Sequence, residues 1–241
     1  MLVAGLPRVV FFDLDDTILR HSAGQPNFWQ LALQRHLPEH DDHASLLAAL
    51  HELSSAFWGQ AEQAFWGRQN MHEARRRLAC TALGARGVAV EHCHRIADEM
   101  TDGKEAAARP FDGAIETLHL LLERGHRLAL LTNGSSTFQR RKLHRFELEK
   151  LFELILVEGE LGYGKPDRRV FQAAVEHFGP EGREAWMIGD NLDADIAGAQ
   201  ALGLKGVWHD ANGEGLPKQA PVVPDRVISS VVELLGENAA T

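Results

Sequence analysis

Four short apolar runs, each stopping abruptly at polar residues, constrain this chain more than any other feature. Arg8–Phe12 (RVVFF) stops at Asp13, Arg127–Leu131 (RLALL) at Thr132, and Ala185–Gly189 (AWMIG) at Asp190. Leu154–Val157 (LILV) runs into an acidic, glycine-bearing loop, and Lys205–Trp208 (KGVW) is a weaker fifth run. Runs this short, apolar throughout and bounded by polar or glycine residues, read as parallel strands buried on both faces. Helical patterns separate them. Asp112–Glu123 places Ile115, Leu118 and Leu122 on one face and is followed by Gly125. Ser136–Phe146 follows the second run. Pro166–Phe178 opens on proline and closes at Gly179, the expected asymmetry of a helix, and Leu192–Leu202 closes at Gly203. Alternation of this kind predicts an α/β fold with a doubly wound parallel sheet.

Residues 21–104 break the alternation. Gln25–His36, Ala44–Ala64, His72–Leu83 and Glu91–Asp102 read as helices, with no strand pattern among them. The expectation is a discontinuous core domain, 1–20 plus 105–241, carrying an inserted all-helical domain over 21–104. With 241 residues, the chain is long enough to bury a core without disulfide or metal staples. Its two cysteines, Cys80 and Cys93, lack CxxC spacing and suit a reducing, cytoplasmic setting. Residues 1–12 show neither a basic start nor a small-residue cleavage site, so no signal peptide is expected. No apolar stretch approaches the ~18–20 residues that span a membrane. The net charge of −9, with no basic excess in either part, disfavours nucleic-acid binding.

Open α/β sheets bind ligands beyond the carboxyl ends of their strands. The residues there are Asp13 and Asp15 (DLDDT), Thr132 and Asn133 (LLTNGS), Lys165 (GYGKPD), and Asp190 with Asp195 (GDNLDAD). Carboxylates gathered at one point repel, and one must take a proton unless a cation sits among them. Hard oxygen ligands of this kind suit Mg²⁺, which binds through one or two carboxylates and a substrate phosphate. A hydroxyl and loop N–H groups at Thr132–Asn133 can receive phosphate oxygens, and Lys165 supplies a compact positive charge. Taken together these residues make a nucleophilic carboxylate, an acid/base carboxylate and a phosphate cradle. Gly159, Gly162, Gly164 and Lys165 lack the order GxxxxGK[ST], since Pro166 follows the lysine, so no nucleoside-triphosphate loop is read.

With these four motifs in order, the chain resembles the haloacid dehalogenase-like (HAD) hydrolase superfamily, in the subgroup with a helical cap inserted after the first motif. The resemblance implies a Rossmann-like core. It implies that Asp13 attacks phosphorus to form an aspartyl-phosphate, and that Asp15 protonates the leaving alcohol and then activates water. It implies that Thr132 and the N–H of Asn133 hold the phosphoryl group while Lys165 offsets charge on Asp13 and the phosphate. Mg²⁺ is implied on Asp13, the backbone carbonyl of Asp15, and Asp190, with Asp195 orienting that site through water or Lys165. The expected activity is Mg²⁺-dependent hydrolysis of a small phosphorylated metabolite by a monomer or homodimer, the cap closing over the substrate. The alternatives are a nucleotidase or a phosphoglycolate-type sugar-acid phosphatase. The presence of Asp15 disfavours a 2-haloacid dehalogenase, and the absence of lysine from residues 21–103 disfavours Schiff-base phosphonate cleavage. A non-catalytic binding module on the same fold is the competing class, against which the intact carboxylates and Lys165 stand.

Other features have plainer readings. His40-Asp41-Asp42-His43 reads as a solvated loop and Arg75-Arg76-Arg77 as a solvated face. Phe57-Trp58 and Phe65-Trp66, eight residues apart, read as one helical face packed inside the insert, with a tryptophan lining the substrate pocket beside Arg68 as the sharper reading.

Overall fold

A computed structural model describes residues 1–22 and 24–236. The chain divides into two compact units, Met1–Ala23 with Ala108–Thr241, and Gly24–Ala107.

In the first unit β1 (Val9–Phe12) is followed by the two-residue β2 (Leu19–Arg20). The second unit then holds five helices: α1 (Phe28–His36), α2 (His43–Trp58), α3 (Ala61–Gln69), α4 (Met71–Gly84) and α5 (Val90–Ala107). Their apolar faces meet in one core around Trp29, Leu33, Leu46, Leu50, Leu83 and Ile96. The segment read as a single helix over 44–64 is two, because the chain turns at Gly59 and Gln60 and restarts at Ala61. The two aromatic pairs therefore lie on different helices, and the single-face argument for them fails. Phe57 and Trp58 stand edge to face 4.9 Å apart, and Gly67 of α3 approaches both rings so closely that a Cβ there would overlap them.

The chain then supplies β3 (Arg109–Pro110), which pairs antiparallel with β2. Next come α6 (Ala114–Glu123), β4 (Arg127–Thr132), α7 (Ser136–Arg145), β5 (Leu154–Val157), the short α8 (Glu158–Leu161) and α9 (Arg168–Phe178). β6 (Trp186–Gly189) leads into a wide π turn, Leu192–Ala197, and α10 (Gly198–Gln200). β7 (Lys205–His209) and β8 (Arg226–Ile228) complete the sheet.

Further details differ from the sequence reading, among them Leu192–Leu202, expected as one helix, which is the π turn followed by the short α10. The acidic loop after Val157 is a helical turn. α9 starts at Arg168, capped by the Asp167 side chain, so Pro166 lies in the turn before it. β8 and the β2–β3 ribbon were not legible.

All strands of the main sheet run parallel in the order β5-β4-β1-β6-β7-β8. β1 is fully buried because both faces are covered. Val10 and Phe12 pack with Leu118, Leu130 and Ile188 on one side, while Val9 and Phe11 pack with Leu131, Phe171 and Met187 on the other. After β1 the chain builds outward through β4 and β5, then returns to β1's other edge with β6. That reversal leaves a crevice beyond the carboxyl end of β1. Register brings Phe12 level with Leu130 and with Ile188, so Asp13, Thr132 and Asp190 emerge at neighbouring strand ends. No described helix is long and apolar enough to cross a membrane.

Candidate active site

Asp13 leaves β1 with its N–H donating to Ile188 O at 2.9 Å, so β6 fixes where the nucleophile candidate begins. Its carboxylate is buried and accepts from Lys165 Nζ at 2.6 Å. Lys165 Nζ also lies 2.6 Å from Asp195 Oδ1. Asp195 is held in turn by the Asn191 N–H, 3.0 Å from Oδ2. Gly189 is required beside it, since a Cβ at that position would overlap the Asp195 side chain. Asp13, Asp190 and Asp195 each offer one carboxylate oxygen, and these oxygens lie within 4.8 Å of one another.

This crowding shows in the acidities. Burial pushes Asp13 up to about 7; Lys165 opposes it, while Asp195 and Asp15 add to it. Burial raises Asp190 to about 9, and Asp13, Asp195 and Asp16 push the same way. Burial alone would lower Lys165, but Asp13 and Asp195 overcome it and hold the ammonium above the ordinary lysine range. Four aspartates, 13, 15, 190 and 195, face two ammonium groups, Lys165 and Lys142. Two negative charges are left over, which either protons or one divalent cation can offset. The oxygen-only donor set fits Mg²⁺.

Thr132 is buried at the end of β4, and its hydroxyl lies against the Gln139 amide, which also reaches Asp15. The Asn133 side chain has a structural task beside the one expected of its backbone N–H. Its Oδ1 accepts from Lys165 N and its Nδ2 donates to Lys165 O, both at 2.7 Å. That reciprocal pair ties the lysine loop to the β4 loop and leaves the Asn133 backbone N–H as the group available to a phosphate. Gly164 allows the close approach, because a Cβ there would strike Asn133 Oδ1 and the Glu158 carboxylate. Glu158 accepts from Gly134 N at 2.8 Å and so braces the β4 loop from α8.

Asp15 is held by residues that sequence reasoning missed. Lys142 Nζ lies 2.7 and 2.5 Å from its two oxygens, and Gln139 Nε2 donates to Oδ2 at 3.0 Å. Gln139 Nε2 also lies 2.5 Å from Thr132 Oγ1. Burial would raise the Asp15 pKa, but Lys142, His21 and Gln139 outweigh it and pull it down to about 2. The signal was present as an i, i+3, i+4 face at Gln139, Lys142 and Leu143, all buried. It was unreadable as an apolar pattern because two of the three are polar.

Other candidate residues resolve simply. His43 Nε2 contacts Leu37 O at 2.8 Å, His40 Nδ1 accepts from Asp42 N, and Asp42 caps α2. Among the described residues, the only acidic, histidine or cysteine group placed to hold a metal is Asp13, Asp190 and Asp195. Arg76 pairs with Asp98 through two short hydrogen bonds, and Arg77 bonds Glu73 and lies over the Trp66 ring. Arg75 is buried, so the triple arginine is not wholly a solvated face.

The family described as haloacid dehalogenase-like hydrolase matches residues 7–203. A phosphoserine phosphatase of Thermus thermophilus is 43% identical over 112 residues, 46% of this chain and 44% of its own length. The chain thus aligns with less than half of that relative. A glyceraldehyde 3-phosphate phosphatase of Pyrococcus furiosus is 30% identical over 210 residues, 83% of this chain and 80% of that protein. Among solved structures, the HAD-hydrolase YfnB of Bacillus subtilis, bound to magnesium, superposes with a TM-score of 0.73. It has 25% identity and covers 96% of this chain and 99% of its own.

Proposed function

The chain belongs to the haloacid dehalogenase-like hydrolases, and we propose that it is a Mg²⁺-dependent phosphatase of small-molecule phosphate monoesters acting through an aspartyl-phosphate on Asp13. The observation that carries this reading is the placement of Asp13. It is a buried carboxylate 2.6 Å from the Lys165 ammonium, grouped with Asp190 and Asp195, at the end of the strand next to the one that ends in buried Thr132. The names of the relatives, phosphoserine phosphatase and glyceraldehyde 3-phosphate phosphatase, support the same substrate class.

Mg²⁺ would be held by Asp13, Asp190 and the backbone carbonyl of Asp15, where it would offset charge on the phosphate and the attacking carboxylate. The protein's own residues do the rest. Thr132 and the Asn133 N–H position the phosphoryl group, and Lys165 stabilises the negative charge shared between it and Asp13. An Asp13 oxygen forms a bond to phosphorus as the bond from phosphorus to the ester oxygen breaks. The leaving oxygen takes its proton from Asp15. Water then gives a proton to Asp15, attacks phosphorus and frees Asp13, so that inorganic phosphate departs and Asp15 regains its proton. The ion pair with Lys142 favours the ionised, proton-accepting form of Asp15, which suits the second half. The first half requires a proton on Asp15, and hence a looser pair.

The helical unit is assigned the cap's part in this family, and the setting is assigned as cytoplasmic, with Cys80 and Cys93 both free thiols. Turnover of p-nitrophenyl phosphate and a panel of phosphorylated metabolites, with and without Mg²⁺, tests the reading. Hydrolysis that needs Mg²⁺ supports it. No turnover of any ester overturns it in favour of a binding module.

A further inference from the structure

One face of α7 is polar where a helix packed on a sheet is ordinarily apolar. Gln139 and Lys142 are each almost wholly buried, at 2% and 4% exposure. Lysine and glutamine are rarely buried at this level unless partners hold them, and here every partner belongs to the site. Lys142 Nζ reaches both oxygens of Asp15, and Gln139 Nε2 reaches Asp15 Oδ2 at 3.0 Å, Thr132 Oγ1 at 2.5 Å and Asn133 O at 2.9 Å. The two residues are one helical turn apart, so a single rigid element aims both at the loops after β1 and β4.

The chemistry of the contacts gives each residue a distinct task. A threonine hydroxyl has one hydrogen to donate and lone pairs to accept with. When Gln139 Nε2 donates into Thr132 Oγ1, the hydroxyl hydrogen must point away from it; its acceptor in this structure is Asn133 O at a long 3.4 Å, which a phosphoryl oxygen can replace. Asp15 stands on a loop, and a carboxylate gripped at both oxygens has one orientation rather than several. We propose that Gln139 and Lys142 are positioning residues: Lys142 fixes the direction of the Asp15 carboxylate, and Gln139 fixes the Thr132 hydroxyl as a donor. This inference rests on the phosphatase reading above and extends it to residues outside the four motifs.

The tasks separate experimentally through the leaving group. Proton transfer to the leaving oxygen matters most when that oxygen is strongly basic, as in an alkyl ester, and least for p-nitrophenolate. The ratio kcat/KM reports steps up to the first phosphoryl transfer, so it isolates this effect from later hydrolysis. The test uses the full chain with Mg²⁺. It compares p-nitrophenyl phosphate with the best alkyl phosphate that the wild type turns over, for Lys142→Met, Lys142→Arg and Gln139→Leu, with circular dichroism to confirm folding. Lys142→Met is expected to lower kcat/KM at least about tenfold more for the alkyl ester than for the aryl ester. Lys142→Arg should recover most of that loss. Gln139→Leu should lower both esters by a similar factor, because Thr132 meets the phosphoryl group whichever alcohol leaves.

A folded Lys142→Met protein that loses both esters equally, or neither, or gains on the alkyl ester, overturns the assignment. So does Lys142→Arg behaving like Lys142→Met, or unchanged kinetics in Gln139→Leu. If Lys142→Met fails to fold, the Lys142→Arg ratio decides: an alkyl-to-aryl preference at the wild-type value supports the assignment, and a collapsed one overturns it. Wild-type protein that hydrolyses no ester overturns the phosphatase reading and this inference together, whereas active wild type with unselective variants overturns this inference alone.

Discussion

Lys165 joins two buried carboxylates that would otherwise face each other, so its removal and that of Asp13 should act in opposite senses. Lys165→Met leaves Asp13 and Asp195 without their shared cation. Stripping one member from a buried ion pair costs about 3–5 kcal/mol, and urea unfolding of the metal-free variant should show a loss of that size along with lost turnover. Asp13→Asn removes one negative charge from a crowded group whose burial already pushes Asp13 up to about 7. Turnover should vanish, while the melting temperature of the metal-free variant stays at or above wild type. A Asp13→Asn protein retaining a tenth of wild-type kcat would place the nucleophile elsewhere. At this scale the sequence told part of the story. Asp13, Thr132 and Asp190 were legible as candidates because each ends a strand or opens the loop after one, and Lys165 because it sits in the glycine-rich GYGKPD segment before α9. The reciprocal pairing of the Asn133 amide with the Lys165 backbone was not legible, since nothing in TNG announces it. Gln139 and Lys142 were passed over because a polar helix face looks solvated until the chain folds.

The strands that carry unbroken apolar runs were the legible ones. β1, β4 and β6 have apolar residues at consecutive positions because helices cover both faces of the sheet. β8 has only three residues, with Val227 half exposed at the sheet edge, and β2 and β3 have two each, too short for any period. The break between α2 and α3 was missed because apolar residues continue across Gly59 at helical spacing, and only the fold shows the turn. That turn sets the packing of the helical unit, since it brings Gly67 against Phe57 and Trp58. Gly67→Ala adds a methyl group that these rings must move to admit. Overpacking of this kind costs about 1–3 kcal/mol, which exceeds the roughly 1 kcal/mol that alanine gains over glycine in a helix. Chemical denaturation should therefore show net destabilisation, and a stabilised variant would mean that the rings move aside freely.

Over the whole molecule, charge ties stability to acidity and to the metal. Burial and neighbouring carboxylates raise Asp13 to about 7 and Asp190 to about 9, both above the ordinary aspartate value of 3.8. Between those values the folded chain holds more protons than the unfolded chain. The contribution of these two carboxylates to the stability of the metal-free protein therefore falls as pH rises from about 4 to about 9, while buried His126 and His209, held below their ordinary range, contribute with the opposite sign up to about pH 6.5. Melting temperatures should drop from about pH 7 to about pH 9 in the absence of metal, above the range where the histidines titrate, and Mg²⁺ should restore more of the loss at pH 9 than at pH 7, because it favours the ionised carboxylates. A metal-free protein whose stability is flat or rises over this range would show that the three aspartates do not crowd as described. The central claim, that Asp13 forms the bond to phosphorus, has a more direct test. Wild-type protein with Mg²⁺ is mixed with a substrate ester, quenched in acid within the first turnover, digested and mapped by mass spectrometry. A phosphoryl group on the peptide carrying Asp13, absent from Asp13→Asn, is the predicted result; steady turnover with no phosphoryl group on that peptide at any quench time would contradict it.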